Sequence, residues 1–215
     1  MTYLDVVNAV LKRLREPVAT SIDQNTYTAL MGEYVNDAKR IVEDAWDWSA
    51  LRTTITVPTV DATHTYSLTG SGDDVKTINI INTTSSSFMI YKDRYWMDNT
   101  FFINDPATSE PQYYTFYGID SSGDTKVKLY PIPNGVYSID FNVVKRQADL
   151  SDPTDVLLVP HMPVIHLTTA LASRERGETG GRESMELFSF ANSFLSDAVA
   201  LDSQKHPEEL IYRAV

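Results

Sequence analysis

Cysteine is absent from the 215 residues, which excludes disulfides and thiolate metal sites. No apolar run approaches the ~18 residues needed to span a bilayer; the longest clusters are short, such as "DVLLVP". The opening "MTYLDVVNAVLKRLRE" lacks the basic-then-apolar order of a secretory signal and is expected to belong to the fold. Positive charge is scarce: 18 Lys and Arg stand against 29 Asp and Glu, a net charge of −11. That balance argues against tight nucleic-acid binding, which needs a basic face to neutralise phosphates. It suits either plain solubility or an acidic wall past which nucleic acid slides without sticking.

Catalytic signatures are also missing. His161 and His166 are five apart, off the i, i+4 spacing of a helical metal site, and His161 sits beside prolines that suggest the start of a helix. There is no Gly-rich phosphate loop, nucleophile elbow or paired-histidine motif. "DSSGD", Asp120 to Asp124, alternates acids as a calcium loop does but lacks the later carboxylates, so it reads as a hairpin turn. The adjacent acids Glu43–Asp44 and Asp73–Asp74 read as solvated charge. No cofactor, metal or catalytic residue is expected.

What is present is an ordinary globular composition, 42% hydrophobic and 22% charged, long enough to bury a core. Leu4, Val7, Leu11 and Leu14 recur at helical spacing, and Pro17 stops that helix. After plausible N-caps at Ser21 and Asp23, a longer helix places Tyr27, Leu30, Tyr34, Ala38, Ile41, Val42 and Ala45 on one face. From Leu51 the period changes to two. Strands are expected at 53–57, 65–68, 76–80, 88–92, near 101–103, and at 112–117, 127–130 and 136–144. The prolines of "LYPIPNGVY" end one strand before an Asn134-Gly135 turn.

After "DLSDPTD" the period reverts. "VIHLTTALASRER" reads as a helix with Val164, Leu167, Leu171 and Ala172 inward, broken by "GETGG". A final helix carries Met185, Phe188, Ala191, Leu195, Ala198 and Leu201 on one stripe, widened by Phe190 and Phe194. The expected fold is α+β: a four-helix bundle built from both chain ends, with an antiparallel β barrel or sandwich inserted. The divisions are 1–50 (helical, first half), 51–150 (β), 151–203 (helical, second half) and 204–215 (extended C-terminal segment).

Three features lie outside that plan. In "VEDAWDWSALRTTITV", Trp46 and Trp48 stand two apart, about 200° around a helix, so they cannot share one narrow stripe. Either the helix ends there, with both as core residues, or Trp48 fills the junction with the β insert. "QYYTFYG" places Tyr113, Tyr114 and Tyr117 on both faces of one strand, which is then buried twice or turned to a subunit or tail-side partner. The end "HPEELIYRAV" carries Leu210, Ile211, Tyr212 and Val215 after Pro207, too short to fold alone, so it docks on its own subunit or on a neighbour. A second class of function is a β-rich glycan- or receptor-binding module on a helical stalk, with Tyr113, Tyr114, Tyr117 and Tyr130 as its stacking platform; a glycan hydrolase has no motif behind it.

The order "EDAWDWSALR", "VKLYPIPNGVYSIDFNVV", "LLVPHMPVIHLTTALASRERG" and a long last helix resembles the head-to-tail adaptor (tail tubular protein A-like) family of tailed bacteriophages, over essentially the whole chain. The resemblance implies a non-catalytic virion protein of the neck, made in the host cytoplasm. Family members form a ring, typically of twelve copies, beneath the portal protein, contact downstream tail or nozzle proteins, and line the channel through which DNA passes without specific binding. It implies no membrane contact, and it places the portal contact at Leu210, Ile211, Tyr212 and Val215.

Overall fold

The computed structural model describes residues 1–72, 74–177 and 182–205, and for 182–184 the backbone only. The chain divides into two compact units, Met1–Leu51 with Gln147–Val215, and Arg52–Arg146.

The first unit is helical. α1 (Tyr3–Arg13) starts on a reciprocal cap: the Asp5 amide donates to Thr2 Oγ1 at 3.2 Å and the Thr2 amide to Asp5 Oδ2 at 3.3 Å, satisfying two donors the first turn would orphan. α2 (Thr26–Ala45) is capped by Asn25, whose Oδ1 accepts from the Thr28 amide at 2.8 Å. Ser21 and Asp23 instead belong to a short 3-10 turn, Ile22–Gln24, and neither caps α2. α4 (His161–Arg176) ends at Gly177, whose φ of +64° gives the left-handed cap that glycine adopts without strain. α5 spans Arg182–Ser203. α4 is central, packing against α1, α2 and α5, while α1 also meets α2. Burial follows: α4 hides Val164, Ile165, Leu167, Thr168, Thr169, Ala170 and Ala172. The two threonines fit there because each hydroxyl donates to a carbonyl one turn back, Val164 and Ile165, both at 2.8 Å.

Two helical faces differ from the periodicity. α2 buries Met31, Val35, Ala38 and Val42 together with Asn36, Lys39 and Glu43, while Ile41 is exposed. On α5 Ala191 is buried but Met185 and Leu201 are exposed. In both helices a polar residue takes a position an apolar one would be expected to hold.

Those polar positions of α2 hold the returning chain. Asn36 Nδ2 donates to the Leu150 carbonyl at 3.1 Å and its Oδ1 accepts from the Leu150 amide at 2.9 Å. Lys39 Nζ donates to the Gln147 carbonyl at 2.7 Å, and Glu43 Oε1 accepts from the Gln147 amide at 3.3 Å. Lys39 and Glu43 pair at 3.4 Å, both fully buried. Glu43 is therefore a structural anion and not the solvated charge its neighbourhood suggested. The side chain of Gln147 then bonds the Val156 carbonyl (2.7 Å) and the Leu158 amide (3.0 Å). That loop is stitched to the start of α1 by Tyr3 N–H to Asp155 O at 2.8 Å.

Among the described residues the second unit holds eight strands: β1 (Arg52–Pro58), β2 (Thr65–Ser67), β3 (Lys76–Asn82), β4 (Ser87–Phe88), β5 (Ile90–Tyr91), β6 (Tyr113–Ile119), β7 (Thr125–Tyr130) and β8 (Ser138–Val144). They form two four-stranded sheets, ordered β1-β8-β3-β4 and β2-β7-β6-β5. Both contribute to one buried cluster: Val57, Ile80, Ile139, Phe141 and Val143 from the first, Val127 and Leu129 from the second, with Leu68 and Met89 between. The barrel alternative is not realised, since no closed ladder joins the sheets among the described residues, and pairing is not wholly antiparallel: β5 runs parallel to β6.

Residues 101–103 are not a strand. Asp93 Oδ1 accepts from the Trp96 amide at 2.7 Å and starts a fifth helix, α3 (Arg94–Asp98), which widens into a π turn over Asn99–Ile103. The cap decides against the strand that Phe101–Ile103 would otherwise favour. The prolines after β7 do not close a hairpin; they carry the chain from one sheet to the other, and Asn134 accepts from the Tyr137 hydroxyl at 2.7 Å.

Replacing Asn36 with alanine should leave the buried Leu150 amide and carbonyl unpaired and cost about 2–4 kcal/mol. Urea unfolding at neutral pH measures it, and Asn36→Asp, which restores only the acceptor, should recover part of the loss.

Candidate functional site

Strand β6 answers the question raised by its tyrosines. Its inner face sends Tyr114 and Phe116 against the shared cluster. Its outer face carries Tyr113, Thr115 and Tyr117, and the register sets Tyr113 against Tyr130 and Thr115 against Lys128 of β7. α3 and the π turn cover that face with rings. Trp96 lies 5.3 Å from Tyr113 and 5.5 Å from Tyr130, and Phe101 lies 5.6 Å from Tyr130 and 4.9 Å from His64. Offset and edge contacts of this kind add to the area buried.

The cluster is held by cations. Lys128 is 4% exposed, and its ammonium lies 4.0 Å from the Phe101 ring, 5.1 Å from Phe102 and 5.4 Å from Tyr117. Burial pushes its pKa down; Asp98 opposes this and Arg94 adds to it. His64 is also lowered, by burial first and then by Lys128. Lys92 caps Trp96 and Tyr113 at 5.3 and 5.2 Å, and Arg94 covers Tyr117 at 4.8 Å. Desolvated cation–ring contacts reach about 2 kcal/mol. The platform that a sugar would stack on is thus covered by the chain's own Trp96, with Tyr114 turned to the core.

Beyond this cover the β unit exposes apolar side chains. Phe88, Ile90 and Tyr91 on β4 and β5, Tyr95 on α3, and Phe102 and Ile103 in the π turn are all open to solvent. The short spacing between β4 and β5 forces this: Met89 turns inward between them, so its two neighbours turn out.

In the helical unit α2 ends at Ala45, and Trp46 is already extended. Both indoles bond within that unit. Trp48 is 1% exposed and donates to the Val42 carbonyl at 2.7 Å; Trp46 donates to Asp202 Oδ2 of α5 at 3.2 Å. Asp202 is the focus of this corner. It also accepts from the Ser49 amide (2.9 Å), from the Ser49 hydroxyl and from Lys205 (3.0 Å). Burial alone pushes its carboxyl up; the Ser49 hydroxyl and amide and then Lys205 outweigh that and hold it down, at about 2.

The remaining expected residues scatter. His161 opens α4, and His166 stacks flat on Phe194 at 4.4 Å, with Phe190 edge-on at 5.7 Å; burial and Arg13 lower its pKa. Asp120 accepts from the Ser122 and Asp124 amides as a turn residue does, and Asp124 braces Gly70 and Gly72. Among the described residues no group of three His, Cys, Asp or Glu could hold a metal. Leu210, Ile211, Tyr212 and Val215 lie outside the described residues, as does Asp73. The sequence reading missed Trp96, Phe101, Lys128 and Asp202; the one usable signal was Asp93 three residues before Trp96, a helix-start pattern.

The Asp202 set makes a signed prediction. An unfolded aspartate titrates near ~4, so the stabilisation is complete above that pH and is lost as pH falls through about 2. Asp202→Asn should cost about 2 kcal/mol at pH 7, a gap that closes between pH ~4 and ~2 in denaturant titrations.

Two observations bear on identity: a chain with two units, one helical from both ends and one of two sheets, and side-chain clusters that fasten structure. No curated protein matches the chain. The family model described as SU10 adaptor protein matches residues 1–210. The chain therefore belongs to the SU10 adaptor protein family, a family of phage head-to-tail adaptors.

Proposed function

We propose that this chain is the ring-forming adaptor that joins the portal vertex to the tail and lines part of the DNA channel. The observation that carries the reading is the family match over residues 1–210. The helical unit supports it as a stiff body: α1, α2, α4 and α5, drawn from both ends of the chain, act as a four-helix bundle in the ring wall. Trp46 and Trp48, at the end of α2, fasten that corner of the helical unit through Asp202 and the Val42 carbonyl. The β unit faces neighbouring subunits or tail proteins through the exposed rings Phe88, Tyr91, Tyr95 and Phe102, while Tyr113, Tyr114 and Tyr117, covered by the chain itself, support that face from beneath. The C-terminal residues Leu210, Ile211, Tyr212 and Val215 dock on the portal.

Charge suits the conduit. In a ring of twelve, subunits of −11 sum to about −130, which repels phosphate and lets DNA pass without adhesion. No helix among the described residues is long and apolar enough to cross a membrane, in keeping with a place in the particle neck. The reading involves no catalytic step.

Native mass spectrometry of the chain mixed with its portal tests it directly. The expected result is a portal-sized assembly carrying a full ring of this chain; separate species at all mixing ratios would overturn the reading. Deleting residues 210–215 should leave the circular dichroism and unfolding midpoint unchanged and weaken portal attachment at least ~tenfold, measured in the same mixtures.

A further inference from the structure

Asn134-Gly135 is the sole Asn-Gly pair in the 215 residues, and there is no Asp-Gly. It lies where the chain crosses from β7 in one sheet to β8 in the other. The crossing is held on both sides of the pair. The Pro133 carbonyl accepts from the Ala62 amide at 2.9 Å, and the Gly135 carbonyl accepts from the Thr59 hydroxyl at 2.8 Å. That hydroxyl also accepts from the Tyr137 amide at 2.8 Å, and the Thr59 amide donates to the Tyr137 carbonyl at 2.8 Å. The Gly135 amide is left over: it donates to no group among the described residues.

Asn134 is exposed, so water reaches its side-chain amide. Nothing stands within 4 Å of the place a Gly135 Cβ would occupy, which leaves the glycine nitrogen open to approach. The Tyr137 hydroxyl donates to Asn134 Oδ1 at 2.7 Å. Its ring packs against the shared cluster of the β unit, so the hydroxyl is a fixed donor. A donor already aimed at a carbonyl oxygen makes the carbonyl carbon more electrophilic and stabilises the negative oxygen that forms when a nucleophile adds there.

We propose that Asn134 is a self-modification site, at which the Gly135 nitrogen closes on the asparagine side chain with Tyr137 as oxyanion donor. The Gly135 N–H loses its proton to solvent base, and the nitrogen bonds to Asn134 Cγ while Oδ1 takes up the negative charge beside the Tyr137 hydroxyl. Collapse of that intermediate breaks the Cγ–Nδ2 bond, and the side-chain nitrogen leaves as ammonia after taking a proton from water. Water then opens the five-membered imide at either carbonyl, giving an aspartyl or an isoaspartyl residue at position 134. Water is the one co-reactant. Each product adds a negative charge to the net −11. The isoaspartyl product also lengthens the main chain by a carbon between the anchored carbonyls of Pro133 and Gly135, which makes the site a slow, one-way timer on the link between the sheets. The reaction goes beyond the adaptor reading, since neither a portal nor a second copy takes part.

The full-length chain, held at mildly alkaline pH for several weeks and followed by tryptic peptide mass, tests this. The peptide 129–145 contains both Asn134 and Asn142. Asn142 donates to Asn79 Oδ1 at 2.7 Å within the sheet and serves as the internal control. Position 134 should show the mass gain of deamidation and accept methyl groups from an isoaspartyl methyltransferase, while Asn142 stays intact. Tyr137→Phe keeps the packed ring and removes the donor. Ammonia loss should then slow about threefold or more, less than the ~10²-fold of an enclosed donor because water reaches this one. In urea strong enough to remove the fold, the two chains should react alike. Gly135→Ala, for which there is room, should slow the step more strongly, since its methyl group shields the nitrogen. The proposal is overturned if Asn134 stays unmodified, if Tyr137→Phe reacts as fast as the unaltered chain in native buffer, or if their difference persists in urea.

Discussion

The chain leaves the helical unit at Leu51 and rejoins it at Gln147, and the return depends on three polar side chains of α2. Asn36, Lys39 and Glu43 stand at positions that periodicity would give to apolar residues, and each bonds main-chain groups of Gln147 or Leu150. The chemistry follows from what is being held. A loop segment entering a helical core has no ladder of its own, so its amides and carbonyls must be satisfied by side chains or stay unpaired at a cost of about 1–3 kcal/mol each. Asn36 meets one residue's donor and acceptor together; Lys39 supplies a donor and Glu43 an acceptor for Gln147. The ion pair is buried without isolated charge, which is the condition under which such pairs are tolerated.

The same constraint, applied at a different corner, explains Asp202. Where α2 ends, Trp46, Ser49 and the Ser49 amide all need an acceptor, and one carboxylate of α5 serves all three. The two ends of the helical unit are thus fastened by hydrogen bonds across long sequence separations, and the apolar faces of α4 fill between them. In the β unit the fastening is aromatic. α3 sits on a sheet face that would otherwise expose Tyr113, Tyr117 and Tyr130, and cation–ring contacts surround the buried Lys128, on which the Asp98 carboxylate also acts.

These arrangements suit an assembly protein. The Asn36–Lys39–Glu43 and Asp202 constellations are committed to holding chain against chain, while Phe88, Ile90, Tyr91, Tyr95, Phe102 and Ile103 are exposed on β4, β5, α3 and the π turn. A component that must keep one shape while neighbours load it needs long-range fastenings more than a reactive pocket, and the family match places the chain among proteins of that kind.

By itself the sequence determined the local elements. The change of period at Leu51 falls one residue before β1, the alternating segments other than 101–103 became strands, and the prolines and glycines ended the elements they punctuate. It also carried the family, because "DAWDWSALR", "YPIPNG" and "VPHMPV" stand in order across the chain. Tertiary structure alone decided the rest. Asn36, Lys39, Glu43 and Asp202 look like surface residues to any periodic reading, and it is a chain segment from more than a hundred positions away that each of them holds. Likewise β6, apolar on both faces, could have met a second protein or its own chain; the Asp93 cap, by turning 94–103 into a helical cover, decided for its own chain. Periodicity sees which side a residue faces relative to its own element, whereas burial of a polar group depends on what that side meets.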